Sequence, residues 1–383
     1  MKKLLSCIFL FCFLKNLAAQ SDSTCSVSIS LLTCTPGQEL YSTFGHSALR
    51  ITDSTTNTDI IYNYGTFDFD DPSFYSKFTR GKLLYFVSVD SFQNFLEEYK
   101  YEKRGITEQV LNLSCTEKQK LVAALRENAK EENKYYQYDF IYDNCTTRLR
   151  DIVFKNANAQ IVTKDVRPSN KVTFRNLIHK YLDSSYQYWS EFGIDILLGE
   201  PLDKKISNNE SMFLPDYLLK GFDSTTIDGR RLVSEKKEIL VPVLPGNKKP
   251  FLSPFILFSI LFLLIAVLSL SKGTYRFLSA FDFILFFITG LLGVFLLFMW
   301  FGTDHPECKN NFNLVWAFPL HIVIIFFLYK KRHWVRRYFL FNSLLLLALL
   351  IFWKWLPQEM NNALLPLLCL LLLRSFTRYR HAG

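Results

Sequence analysis

Beyond residue 250 the chain becomes a succession of apolar runs: Phe251–Leu270, Phe283–Phe301, Leu314–Tyr329, Phe339–Trp353 and Ala363–Leu373. Runs apolar on every face are costly to cover in water, whereas in hydrocarbon a helix satisfies its own backbone. The last three are shorter than an ideal span, so the loops decide the reading. Lys272 and Arg276 lie in the first loop, Lys330, Lys331, Arg332, Arg336 and Arg337 in the third, and Arg374, Arg378 and Arg380 in the tail. The second loop, Gly302–Asn313, carries Asp304, Glu307 and one lysine, and the fourth is Lys354–Asn362. Basic residues mark cytoplasmic loops. The pattern predicts an α-helical transmembrane domain over 251–383, with helices at about the ranges above. The C-terminus is expected in the cytoplasm and residues 20–250 outside.

The N-terminus agrees with that topology. Met1-Lys2-Lys3, an apolar stretch from Leu4 to Leu14, and Leu17-Ala18-Ala19-Gln20 read as a signal peptide over 1–19, removed after export. Export permits disulfides. Cys25, Cys34, Cys115 and Cys145 remain in the exported part, and Cys25–Cys34 is a possible local bridge. The net charge of +9 follows from the basic loops and does not point to nucleic acid. Zinc-type cysteine spacing, a P-loop and a dinucleotide fingerprint are all lacking, so no metal or organic cofactor is indicated.

Residues 20–235 read as a single α+β domain, with 236–250 a Lys- and Pro-containing linker to the membrane. Ser26–Leu32 alternates as a strand, and Phe44–Ile51 runs from a loop into another. A turn across Asp53–Asn57 returns the chain through Ile60–Gly65. His46 is therefore expected on a central strand, with Asn63 and Tyr64 in cross-strand reach. Helices are expected at 73–80, 91–100 and 116–133, and strands at 83–89 and 107–113.

The aromatic stretch Tyr138–Tyr142 ends in Asp143-Asn144, a pair suited to a helix N-cap, and Cys145 opens the helix that follows. The positive end of the helix dipole favours a thiolate there. The unpaired N–H groups of the first turn suit a developing oxyanion. The other reading is a small thiol filling a helix–strand contact. With His46 as base, Cys145 forms the chain's one nucleophilic pair in plausible contexts. Asn63 is the candidate to orient the imidazole, with Tyr64 and Asp68 behind it; a structural histidine is the alternative. His179, His321, His333 and His381 fall in helices or the tail, away from any expected polar cluster.

Two apolar segments, Tyr188–Gly199 and Met212–Leu219, either complete the core or form a lipid-binding surface. The external loop from Asp304 to Trp316 either caps helix ends or meets a lipid headgroup or amine through His305.

Four motifs resemble the Lnb N-terminal periplasmic domain family: Leu31-Leu32-Thr33-Cys34-x-Pro36-Gly37, Phe44-Gly45-His46-x-Ala48-Leu49-Arg50, Tyr62-Asn63-Tyr64-Gly65-x-Phe67-Asp68-Phe69 and Asp143-Asn144-Cys145-x-Thr147-Arg148. The loop His305-Pro306…Asn311-x-Asn313-Leu314-x-Trp316 and the apolar tail resemble the rest of that family. The resemblance implies a permuted papain-like (NlpC/LRAT-type) thiol fold followed by five membrane helices. It further implies an inner-membrane lipoprotein N-acyltransferase, multi-pass, with its N-terminal domain in the periplasm. The acyl donor would be a membrane phospholipid and the acceptor a diacylated lipoprotein. Cys145 and His46 match the nucleophile and base, with Asn63 the candidate third member. Tyr64, Asn144, Arg148, His305 and Trp316 are assigned to substrate binding. The alternatives are a cell-wall peptidase or amidase of the NlpC type and a non-catalytic membrane-tethered folding factor.

Overall fold

The computed structural model describes residues 25–157, 160–243, 249–328, 330 and 332–381; the expected signal peptide lies outside them. The first half runs β1 (Val27–Cys34), β2 (His46–Asp53), β3 (Thr58–Thr66), α1 (Phe74–Thr79), β4 (Leu84–Ser91), α2 (Phe92–Tyr101) and β5 (Ile106–Leu111). Then come α3 (Cys115–Asn128), β6 (Tyr135–Gln137), α4 (Cys145–Ala157), β7 (Ile161–Thr163), α5 (Phe174–Ser184) and α6 (Tyr188–Leu197). The short α7 (Asn208–Ser211), α8 (Pro215–Ser224), β8 (Thr225–Ile227), β9 (Arg230–Arg231) and β10 (Val233–Leu240) complete this part. Seven strands form an antiparallel sheet in the order β10-β5-β1-β2-β3-β4-β6. β10 thus takes in the first residues of the stretch read as a linker.

The period of two in β1 sends alternate side chains to opposite faces. Ile29 and Leu31 join Leu49, Tyr62 and Tyr64 beneath α3, α4 and α8. Leu32 and Cys34 face the other way, with Ala48 and Ile61, against Phe95 and Tyr99 of α2. Because β1 is extended from Val27 to Cys34, Cys25 and Cys34 lie at its opposite ends, roughly 3.3 Å per residue apart. A bridge between them is therefore ruled out. Cys25 pairs instead with Cys115 at the start of α3, and Cys34 is a free, buried thiol.

The C-terminal part holds α9 (Pro254–Leu268), α10 (Tyr275–Phe301), the one-turn α11 (His321–Ile324), α12 (His333–Ile351) and α13 (Leu364–His381). Among the described residues, two helical stretches, Lys272–Phe301 and His333–Ile351, are long and apolar enough to cross a membrane. Large apolar side chains such as Ile260, Leu264, Ile284, Ile288 and Leu344 point outward. The expected continuous helix over 314–329 is instead broken into Phe312–Val315, α11 and Ile325–Phe327. Pro319 explains the break, since its ring lacks an N–H and clashes with the preceding turn. The C-terminal basic residues differ too. Arg374 and Arg378 lie within α13 and both pair with buried Asp282, so they are internal partners rather than loop charges.

The sheet domain and the helical part are joined through polar groups. The side chain of Asn311 donates to the carbonyls of Ile196 and Leu197, and that of Asn313 to those of Asp195 and Ile196. These are the carbonyls that the C-terminus of α6 leaves without helical partners. Gly199 donates its N–H to Glu307 O at 2.8 Å, and any Cβ there would fall 2.0 Å from Lys309 O. Gln358 and Asn361, in the loop before α13, reach Leu198 O and the Asp195 carboxylate. Phe192 of α6 packs on Phe258 of α9.

Candidate active site

Asn144 builds the turn that presents Cys145. Its Oδ1 accepts from the N–H groups of Thr146 and Thr147 (2.8 and 2.9 Å), the N-cap arrangement. Its Nδ2 donates to Phe140 O and Phe213 O (2.7 and 2.9 Å). Two of the first-turn N–H groups expected to be open for an oxyanion are thus occupied. Cys145's own N–H is the first-turn donor that Asn144 does not take. Asn144, at 3% exposed and fully bonded, positions the thiol and has no capacity left to bind substrate.

β2 and β3 supply the other side. His46 begins β2, and its Nε2 meets Asn63 Oδ1 at 2.5 Å, diagonally across the pair of strands. An amide oxygen only accepts, so Nε2 carries a proton and Nδ1 is the nitrogen left for the Cys145 thiol, with which the ring is hydrogen-bonded. β3 must pass close to the thiol. Gly65, at φ +90°, permits this: a Cβ there would stand 3.4 Å from that of Cys145.

Burial pushes the Cys145 thiol up, but the His46 charge, its hydrogen bond, the Thr146 hydroxyl and the Ser47 N–H outweigh it, leaving the thiol below its ordinary value. Burial likewise pulls His46 down, but Cys145 and the Asn63 bond raise it above the usual imidazole value. The pair therefore favours thiolate and imidazolium. Cys34 and Cys308 are pushed by burial to about 12 and are inert.

Cys145 and His46 open into a cavity of about 700 Å³. Phe44, Phe140, Ile178, Ile194 and Phe213 supply much of its apolar wall, and the loop 304–307 closes one side. His305 lies in that wall, with Nε2 at 3.0 Å from Phe78 O. The segments 188–199 and 212–219 contribute both to the buried core and to the cavity wall.

Of the other residues assigned to substrate, three are committed elsewhere and do not line the cavity. Tyr64 is 1% exposed, its hydroxyl taking a bond from Asn128. Arg148 forms a two-pronged pair with Asp143 and lies over the Tyr136 ring. Trp316 is buried, with Nε1–H on Asn313 Oδ1. Asp68 sits in an exposed turn, accepting from Asp70 N–H. Sequence reasoning passed over Ser47, Asp139 and Glu307. Asp139 had a local signal in its place within the pre-Cys145 turn, but Glu307 sits in a loop far along the chain.

His179 corrects a further expectation, because it does lie in a polar cluster. Its Nε2 meets Asp195 Oδ1 at 2.8 Å, Glu191 is adjacent, and Arg175 pairs with both Asp195 and Asp203. His179, Glu191 and Asp195 are close enough to hold a cation. Asp195, however, already holds Arg175, His179 and Asn361. The cluster reads as the domain junction.

Fold and site together define a sheet-rich domain with a paired thiol and imidazole, seated on an apolar helical domain. Residues 14–180 match the family model for the Lnb N-terminal periplasmic domain, and residues 246–382 match that for the Lnb transmembrane domain. The chain belongs to the Lnb family and is a membrane protein. No curated protein and no solved structure matches it.

Proposed function

We propose that this chain is a membrane-bound lipoprotein N-acyltransferase that works through a thioester on Cys145. One observation carries the reading: a hydrogen-bonded thiol–imidazole pair opens into an apolar cavity closed by a loop between membrane helices. An acyl chain fits such a wall, whereas a peptidoglycan stem would leave its polar groups unpaired. In the first half-reaction the Cys145 thiolate attacks an ester carbonyl of a phospholipid. The Cys145 N–H at the start of α4 faces the developing oxyanion. The C–O bond breaks, and His46 gives its proton to the departing lysophospholipid alkoxide. In the second, the α-amino group of a diacylglyceryl-cysteine lipoprotein attacks the thioester, and the thiolate leaves. Anchoring replaces a bimolecular search for two lipid substrates with local encounter.

The order of histidine strand before cysteine helix supports a permuted papain-like fold. Loops 302–313 and 354–362 both meet the sheet domain, which supports five spans in the inner membrane. The sheet domain then lies in the periplasm and the C-terminus in the cytoplasm. The test is mass spectrometry of lipoprotein N-terminal peptides from cells with and without the gene. Triacylated N-termini should disappear without it, and Cys145→Ala or His46→Ala should abolish triacylation while the protein still accumulates in the membrane. Unchanged N-termini would sink the proposal.

A further inference from the structure

Two carboxyls meet in the cavity wall. Glu307 comes from the loop after α10, and Asp139 from the turn before Cys145; both line the cavity. Asp139 Oδ1 accepts from the N–H groups of Ile141 and Tyr142 at 2.8 Å, which fixes its carboxylate. Glu307 is nine-tenths buried, and its Oε1 has no hydrogen-bond donor among the described residues. The Glu307 backbone is pinned as well, since its carbonyl takes the Gly199 N–H. A structural role would be served better by a neutral side chain, because two like charges this close cannot both ionise.

We propose that Glu307 and Asp139 form the acceptor's amine subsite, binding the incoming α-ammonium group and taking its first proton. The inference rests on the acyl-enzyme reading above and adds what that reading lacks, a reason for amine rather than water. The acceptor arrives mostly as R–NH3⁺, which cannot attack a thioester. The ammonium charge displaces the pair's resting proton to solvent, and one ammonium proton then passes to the pair, freeing the nitrogen lone pair. The N–C bond then forms as the C–S bond of the thioester breaks. The second proton goes to His46, restoring the thiolate–imidazolium pair, and the carboxyl pair is left singly protonated, as it began.

The proton affinities match. Burial, reinforced by the Asp139 charge, pushes the Glu307 carboxyl up to about 8, beside an α-amino group of about 7.7–8.0. Transfer between groups so matched is nearly free of cost, which is where general base catalysis is most efficient.

The experiment separates the two half-reactions in purified full-length protein. Phospholipid is supplied first, and intact mass reports the Cys145 thioester. A synthetic diacylglyceryl-cysteine peptide is then added, or hydroxylamine, an amine that is uncharged at neutral pH. Glu307→Gln and Asp139→Asn should form the thioester at the wild-type rate and discharge normally to hydroxylamine. They should transfer to the lipopeptide at least about 100-fold more slowly. Any pattern without that selective loss, including wild-type transfer or equal loss in every step, overturns the subsite. Failure of the wild-type protein to form a thioester would instead overturn the acyl-enzyme reading itself.

Discussion

The Nε2 of His46 stands 2.5 Å from the amide oxygen of Asn63, so a side chain on β3 decides which imidazole nitrogen faces Cys145. With Nε2–H held there, Nδ1 is free to take the thiol proton. Asn63→Ala removes the hold, and the ring can turn or change tautomer. Activity should fall by about 100-fold, the scale of a small misplacement of a reacting group. Steady-state transfer to a lipopeptide checks this, with membrane levels of the protein unchanged.

Thiol alkylation tests the electrostatics directly. The Cys145 thiol lies below its ordinary value and His46 above its own. Thiolate therefore persists as pH falls below the usual thiol range and is lost only once Cys145 is protonated. His46→Ala removes the cation and leaves the burial, so the thiol should rise and alkylation at neutral pH should slow. Peptide mass spectrometry after limited iodoacetamide treatment should show Cys145 modified first, with Cys34 and Cys308 silent.

The Cys25–Cys115 bridge closes a long loop that holds β1 to β5 and ties the start of β1 to α3. Neither cysteine lines the cavity. Cys115→Ala should cost about 2–5 kcal/mol of stability while activity below the melting range is retained. Thermal unfolding with and without reductant provides the check.

Arg175, at 1% exposed, neutralises Asp195 and Asp203 at the junction. Arg175→Ala removes the cation that Asp203 pairs with and leaves Asp195 to His179 and Asn361, at a cost of about 3–5 kcal/mol. The expected result is a lower unfolding temperature and faster proteolysis between the two parts. Wild-type proteolysis rates in the variant would show that the junction does not depend on this pair.

Much of the architecture was legible in local pattern. Period-two runs in β1 and β2 and apolar stretches with basic loops each report the burial of their own side chains, and the Asp143-Asn144 pair before Cys145 marks a helix start. The reading faltered where a motif residue spends its hydrogen bonds inside the protein, on a near neighbour or a distant one. Tyr64, Arg148 and Trp316 are typical of binding sites, yet here they bond to Asn128, Asp143 and Asn313.

The sequence alone determined a mixed domain ahead of an apolar helical one, with a single thiol at a helix start and a histidine on an upstream strand. Those features depend on neighbours a few residues away, which periodicity and capping chemistry record. Only the tertiary structure decided that Cys25 bonds Cys115, that Asn144 also ties Phe213 to the Cys145 turn, and that Glu307 and Asp139 share the cavity of Cys145. Each of these joins groups whose contact is made by packing, and side chains committed to one another within the protein are no longer available to a ligand.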